Sequence, residues 1–377
     1  MSDTYCNEPW RTVHYDYDGK LGPCCTYRGE RSNESSVKDY WNSEWLADFR
    51  RQLGEGVRHP GCKNCWQKEE RGEQSQRLEK NSKHGVVTEP DLQEIFISFG
   101  NICNKSCNIC RPNRSSIIEK QYRLAGKDWN VDKDNLSTAW LENLEQYYQD
   151  ISEKAETIHL NGGEPFIVKQ CHDLLQYMAD NNYTHKHIKA NTNGSISPSQ
   201  IELLNRFKKV SLHLSIDGIL DLYPVVRPPH TWEWWLLHHD RIRQQNWKVT
   251  YATVVHVLNV HQLPLILDYY LSQYELYPDN TNIYFSTVNN QPNMSTHIAP
   301  KEVCVQSACL LEERLLKLPD EWKSNIENVI QHLYYSAENR NFKDDMEFKK
   351  FIETFGPIKG IDYAKHLPWN SWVFRNE

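Results

Sequence analysis

Residues 209–217 read KVSLHLSID, and their alternation decides the fold. In an extended chain successive side chains point to opposite faces. Val210, Leu212, Leu214 and Ile216 therefore share one face, and Ser211, His213, Ser215 and Asp217 the other. The same split recurs at 156–161 (ETIHLN), with Ile158 and Leu160 against His159 and Asn161. It recurs again at 187–193 (HIKANTN), with Ile188 and Ala190 against Lys189, Asn191 and Asn193. A closed eight-stranded barrel fills its interior with branched apolar side chains. A polar inner face instead predicts an open barrel whose hollow takes a polar ligand. An antiparallel sheet with one solvated face gives the same alternation, but the long helical connections favour parallel pairing.

Three more stretches have strand character, 93–99 (QEIFISF), 248–257 and 282–288, which makes six strands separated by helical segments. One helix start is legible in detail: Ser197 is followed by Pro198 at the first helical position and Gln200 three residues on, a capping box ahead of IELLNRF. The expected organisation is a Cys-rich segment over 1–70, a charged linker over 71–90, the barrel over 91–295 and a mostly helical region over 296–377.

The chain has 377 residues, a net charge of -7 and eleven cysteines. Without a long basic run, nucleic acid is not the expected partner. The charged, aromatic N-terminus lacks the apolar core of a signal peptide, and no stretch reaches the length of a membrane span. A cytoplasmic protein with no membrane partner is expected. In a reducing compartment the cysteines at 6, 24, 25, 62, 65 and at 103, 107, 110 suit metal ligation better than disulfides.

The loop after the first strand reads Cys103-Asn-Lys-Ser-Cys107-Asn-Ile-Cys110. Four cysteines close a tetrahedral zinc site or saturate a cubane, whereas three on a four-iron cluster leave one iron open. A structural zinc site or incidental cysteines remain the alternatives. After the second strand comes Asn161-Gly162-Gly163-Glu164-Pro165, where the glycines admit a ligand close to the backbone and Glu164 can accept from an ammonium group. Strands three and four end in Asn191-Thr192-Asn193-Gly194 and Ser215-Ile216-Asp217-Gly218, at carboxyl ends where barrel enzymes place their sites.

Taken in order, these segments resemble the radical S-adenosylmethionine (radical SAM) superfamily, with its CxxxCxxC loop and its GGEP, TNG and SIDG segments. The resemblance implies a partial (β/α)6 TIM-like barrel and a [4Fe-4S] cluster on Cys103, Cys107 and Cys110. It further implies that Gly162, Gly163, Glu164 and Pro165 hold the amino group of S-adenosylmethionine. Asn193 and Ser215 would reach its ribose or carboxylate, and Arg227 would pair with the carboxylate. One departure stands out: the residue before the third cysteine is usually aromatic in that family and here is Ile109, which would seat the adenine through its backbone. Asp217 would touch ligand or cap the next turn, and His159 and His213 would face the hollow.

Ahead of the barrel, Cys6-Asn-Glu-Pro-Trp, Asp18-Gly19, Cys24-Cys25, Trp41-Asn42-Ser43 and Cys62-Lys-Asn-Cys65 resemble the opening of SPASM/twitch domains. Such domains usually follow the barrel; here the landmarks precede it. The resemblance implies one auxiliary cluster, of [4Fe-4S] type, on Cys6, Cys24, Cys62 and Cys65, with Cys25 spare. A zinc ribbon on the same four residues is the competing reading. Cys171 is expected as a buried helix residue, and Cys304 and Cys309 have no assigned role.

The implied activity is reductive cleavage of S-adenosylmethionine to a 5'-deoxyadenosyl radical, which takes hydrogen from a substrate. A peptide or protein side chain is the leading substrate class. A small molecule such as a nucleotide or sugar is the second, since Lys189 and Arg227 could meet a phosphate. A flavodoxin or ferredoxin would supply electrons. A reading from another class, a non-catalytic zinc or iron-sulfur module, gives no reason for Gly162–Pro165 or for the polar strand faces.

Overall fold

The computed structural model describes residues 2–34, 36–70, 72, 74–127, 147–288 and 291–369. Residues 128–146 and 289–290 of the expected barrel, 71 and 73 of the expected linker, and 370–377 of the expected helical region lie outside the described residues.

Among the described residues the strands are β1 (Thr12–Tyr15), β2 (Leu21–Gly22), β3 (Glu94–Ser98), β4 (Thr157–Asn161), β5 (His187–Thr192), β6 (Lys209–Ser215), β7 (Lys248–Val255) and β8 (Thr281–Thr287). They form one mostly parallel sheet of eight, in the order β2-β1-β3-β4-β5-β6-β7-β8. The six expected strands are β3–β8. The other two come from the Cys-rich segment: β1 runs parallel to β3, with Val13 opposite Ile95, and β2 pairs antiparallel to β1. Gly19, at φ 79°, supplies the left-handed residue that the turn between them requires.

The chain divides into two compact units. The first comprises Met1–Ile102, Asn130–Asn191 and Ile196–Ser211. Its sheet core holds the apolar strand face read from the sequence, Ile158, Leu160, Ile188 and Ala190, joined by Ile95 and Ile97 of β3, all fully buried. Registers are simple, with Ile95 opposite Ile158 and Ile158 opposite Ile188. The helix Lys169–Asp180 buries Cys171, Leu174, Leu175 and Met178, positions spaced to share one helical face. The helix Pro198–Leu204 begins with the expected reciprocal capping box at Ser197 and Gln200. Closer to the N-terminus, Tyr27, Phe49 and Leu53 make a small buried cluster, against which Trp45, Cys6, Cys24 and Cys62 pack.

The second unit comprises Cys103–Trp129, Thr192–Ser195 and Leu212–Glu377. In β7 every second residue is buried, as the pleat demands, and β7 pairs in parallel with β8, Tyr251 opposite Ile283. Among the described residues after β8 there are helices over Lys301–Leu315, Asp320–Glu338 and Phe342–Lys359. These helices are anchored by fully buried Trp322 and Phe348, side chains that each contribute about 1.5–3 kcal/mol of apolar burial. Among the described residues, no helix is long and apolar enough to cross a membrane.

Candidate functional site

The CNKSCNIC loop follows β3 and is fixed residue by residue. The Ser106 amide donates to the Pro228 carbonyl at 2.8 Å, and the Asn108 amide to the Val226 carbonyl at 3.2 Å. Lys105, almost fully buried, donates through Nζ to Tyr223 Oη at 2.7 Å and lies over the Trp234 ring at 4.2 Å. Cys103 Sγ accepts from the Lys105 amide at 3.4 Å, and the Cys110 amide donates to the Cys107 carbonyl at 3.1 Å. Cys107 and Cys110 line one cavity of about 300 Å³ together with Arg111, Gln291 and Lys359; Cys103 is not among its lining residues.

Cations gather on these thiols. Arg227 Nη1 donates to Cys107 Sγ at 3.6 Å, and Arg227 Nη2 pairs with Asp217 Oδ2 at 2.7 Å, all of it buried. Burial and the neighbouring Cys107 push the Cys110 thiol up to about 11, against the pull of Arg114 and Arg227. Burial likewise lowers the Lys359 ammonium to about 8, while Cys107 and Cys110 draw it back up. Thiolates in this position gain from an added positive core, and the surrounding guanidinium and ammonium groups offset the net negative charge of a thiolate-ligated cluster. The donor set fits a [4Fe-4S] group.

The residues assigned by resemblance to S-adenosylmethionine fall in both units. In the second, Asn193 Nδ2 donates to Asn104 Oδ1 at 2.9 Å, which ties the end of β5 to the cysteine loop. Ser215 ends β6, half-buried. Arg227, expected on a cofactor carboxylate, is held by Asp217 and Cys107, while its Nε is buried without a protein partner. His256 is similar: its Nδ1 accepts from the Leu258 amide, so Nε2 carries the proton, and that atom is buried and unpartnered. Two unpaired buried donors suit an acceptor-rich ligand. Asp217, read from sequence as a ligand contact or a cap of the next turn, is instead engaged across the fold: Oδ1 accepts from the Val254 amide at 2.9 Å and Oδ2 pairs with Arg227. Ile109 presents its carbonyl to Gln291 Nε2 at 2.8 Å.

In the first unit, the Gly162–Pro165 turn is stitched onto the exit of β3. The Gly163 amide donates to the Gly100 carbonyl at 3.0 Å and the Glu164 amide to the Ile102 carbonyl at 2.8 Å. Gly162 sits at φ 129°, and a Cβ on Gly163 would lie 2.2 Å from the Ile102 carbonyl oxygen, so both positions require glycine. Glu164 is fully buried, and its carboxylate accepts from the Phe166 amide at 3.4 Å.

The polar strand face of this unit is an organised network. Glu94 Oε1 accepts from His159 Nδ1 at 3.0 Å and from Lys189 Nζ at 3.1 Å, and His159 stacks on Phe96 at 4.0 Å. Burial opposes ionisation of Glu94, but the His159 hydrogen bond and the Lys189 charge hold its carboxyl well below the usual range. Lys189, considered a phosphate ligand from sequence, is therefore committed to Glu94.

Cys6, Cys24, Cys62 and Cys65, the four proposed auxiliary ligands, line a single small cavity with Tyr27, Leu53, Trp66 and Arg77. Burial raises the thiols of Cys6, Cys24 and Cys62, and the neighbouring cysteines raise them further. Such crowding is costly for free thiolates and is relieved by a bound cationic centre. Cys25 is turned aside toward Gln76, 3.7 Å from Oε1, and is pushed up to about 12 mainly by burial. Among the described residues, no three His, Cys, Asp or Glu side chains close on one point as ligands of a single ion. Cys171 is buried in its helix as expected; Cys304 Sγ reaches the Thr296 carbonyl and exposed Cys309 lies 3.5 Å from Tyr334 Oη.

Sequence reasoning missed Gln291, Lys359, Tyr223 and Trp234. Lys105 carried a signal, a long cation inside a cysteine loop with aromatic-rich WEWW downstream; Lys359 carried none.

Comparison with known proteins agrees with this layout. The Radical SAM superfamily profile matches residues 97–269, and an iron-sulfur cluster-binding domain profile (SPASM) matches residues 6–66. No curated protein matches the chain. Among solved structures, anSMEcpe with bound AdoMet is 17% identical, with a TM-score of 0.44 and coverage of 60% of each chain. SuiB from Streptococcus suis bound to the precursor peptide SuiA is 14% identical, with a TM-score of 0.39 and coverage of 71% of this chain and 62% of that one. The chain thus spans about 60% of the length of these solved proteins. The radical SAM domain implies a [4Fe-4S] cluster and S-adenosylmethionine, and the SPASM domain implies auxiliary iron-sulfur ligation. The chain carries a radical SAM domain over residues 97–269 and, on its N-terminal side, a SPASM iron-sulfur cluster-binding domain over residues 6–66.

Proposed function

We propose that this chain is a radical SAM enzyme whose 5'-deoxyadenosyl radical would abstract hydrogen from a peptide or protein side chain. The observation that carries the proposal is a loop with three cysteines and no fourth, followed at the next strand end by a double-glycine turn that admits no side chain. Cys103, Cys107 and Cys110 would hold the [4Fe-4S] group, and Cys6, Cys24, Cys62 and Cys65 an auxiliary cluster. When bound, the cluster supplies the low-potential electron that cleaves S-adenosylmethionine to methionine and a 5'-deoxyadenosyl radical.

The protein's own work is binding and charge management. Glu164 offers a buried carboxylate to an ammonium group, and Gly162 and Gly163 let the turn that carries it pack onto the backbone of Phe99–Ile102. Arg227, oriented by Asp217, holds a fixed positive charge on Cys107 and keeps a buried Nε without a protein partner, a donor that a cofactor carboxylate would satisfy. Asn193 and Ser215 would meet the ribose or carboxylate, and Ile109 the adenine through its backbone. The commitment of Lys189 to Glu94 takes one cation away from phosphate binding, which favours a peptide over a nucleotide. A flavodoxin or ferredoxin would deliver electrons.

The substrate class is tested by incubating the reduced, reconstituted protein with peptides encoded beside its gene and, separately, with nucleotides and sugars. A mass change in a peptide, dependent on S-adenosylmethionine, is expected. Turnover of a nucleotide or sugar alone would contradict the peptide reading.

A further inference from the structure

Three side chains that lie beyond the matched radical SAM domain close on the CNKSCNIC loop, each taking a different non-cysteine residue. Lys359 Nζ donates to the Ser106 carbonyl, Tyr363 Oη to Asn108 Oδ1 at 2.9 Å, and Gln291 Nε2 to the Ile109 carbonyl at 2.8 Å. Asn108 is oriented for this contact, because its Nδ2 donates to the Val225 carbonyl at 2.7 Å and leaves Oδ1 free to accept. The helix Phe342–Lys359 ends where it does because Gly360 adopts a left-handed conformation at φ 67°, with the Ile361 amide returning to the Gly356 carbonyl at 2.9 Å. That stop sets Lys359 on the last turn and buries Tyr363 just after it. Lys359 lines the same cavity as Cys107 and Cys110.

We propose that Lys359 is a positioning residue that sets the reduction potential of the cluster on Cys103, Cys107 and Cys110, with Tyr363 and Gln291 holding the loop against it. The proposal rests on the cluster reading above. Its physics is short. Reduction adds one negative charge to a group that already carries thiolates, and an ammonium fixed on the carbonyl next to Cys107 favours the reduced form. Of the other cations near the loop, Arg227 is paired to Asp217 and Lys105 is turned to Tyr223 and Trp234. Arg111 and Arg114 are carried on the loop's own continuation, whereas Lys359 arrives 249 residues after Cys110.

The test uses the full chain, reconstituted without oxygen, as wild type, K359M, K359R and Y363F. Iron is counted, and the potential is measured by redox titration of the electron paramagnetic resonance signal that changes when S-adenosylmethionine is added. K359M is expected to keep its iron, with the reduced-to-oxidised ratio at a fixed potential falling by about tenfold, a negative shift of about 59 mV for one electron. K359R should stay within about twofold of wild type, and Y363F should broaden the signal while keeping most of the iron. An unchanged midpoint in K359M overturns the proposal, as does equal loss of iron in K359M and K359R, which would make Lys359 a tether only. Absence of iron from the loop in wild type would instead refute the cluster reading itself.

Discussion

At the scale of single residues, the chemistry depends on which side chains are already spoken for. Arg227 and Lys189 both looked like ligand-binding cations in the sequence. The structure gives each a buried carboxylate, Asp217 and Glu94, so neither is a free charge. The cysteines were readable from spacing alone, and Gly162 and Gly163 from their motif, but the reason Gly163 cannot change is visible only in the contact with Ile102. Gly163→Ala should cost about 1–3 kcal/mol through overpacking against that carbonyl. It should also reduce iron retained on the adjoining loop; chemical denaturation and an iron assay measure the two effects. Gly54→Ala, at a helical position with nothing within 4 Å of the added carbon, is the matched control and should be neutral or slightly stabilising. A Gly163→Ala protein as stable as the control, with full iron, would contradict the packing argument.

Elements differ in legibility for a physical reason. β6 and β7 bury alternate residues, and that period of two is printed in their sequences. β1, Thr12–Tyr15, is only four residues long and buried at all four positions, so the alternation in TVHY is too short to mark it as a strand. Its place beside β3 therefore came only from the structure. The helix at Pro198 was legible because capping is local: Ser197→Ala should lose about 1 kcal/mol, read by thermal unfolding, with cluster content unchanged. The N-terminal cysteines form another local device, four thiols around one cavity. Cys62→Ala should remove the auxiliary cluster's iron while S-adenosylmethionine cleavage continues without coupled substrate turnover. Loss of cleavage and coupling together, at full loop iron, would tie the two centres more closely than proposed.

For the molecule as a whole, what sequence hides is long-range closure. Lys359, Tyr363 and Gln291 reach the cysteine loop from far along the chain, and no local pattern announces them. Buried imidazoles are a second hidden property, with a stability consequence. Burial lowers His239 to about 3, His256 to about 3 and His261 to about 4. A histidine depressed in the folded state binds more protons when unfolded, so its stability contribution is present above the unfolded value near 6.5 and is lost as pH falls below it. His239, whose Nε2 meets Tyr251 Oη at 2.7 Å, should alone cost about 1.4 kcal/mol between about pH 7.5 and pH 5.5. His239→Gln should lose that much less over the same interval in denaturant titrations. Identical pH dependence in the two proteins would show that His239 is not held neutral.

The central claim is that Cys103, Cys107 and Cys110 carry a cluster able to cleave S-adenosylmethionine, and one measurement reaches it directly: 5'-deoxyadenosine formed by the anaerobically reconstituted protein on addition of reductant, alongside Cys107→Ala. The account predicts reductant-dependent product from a wild type holding about eight irons per chain, and none from Cys107→Ala with about four. Equal product from both proteins, or a wild type that binds no iron at its CNKSCNIC loop, would contradict it.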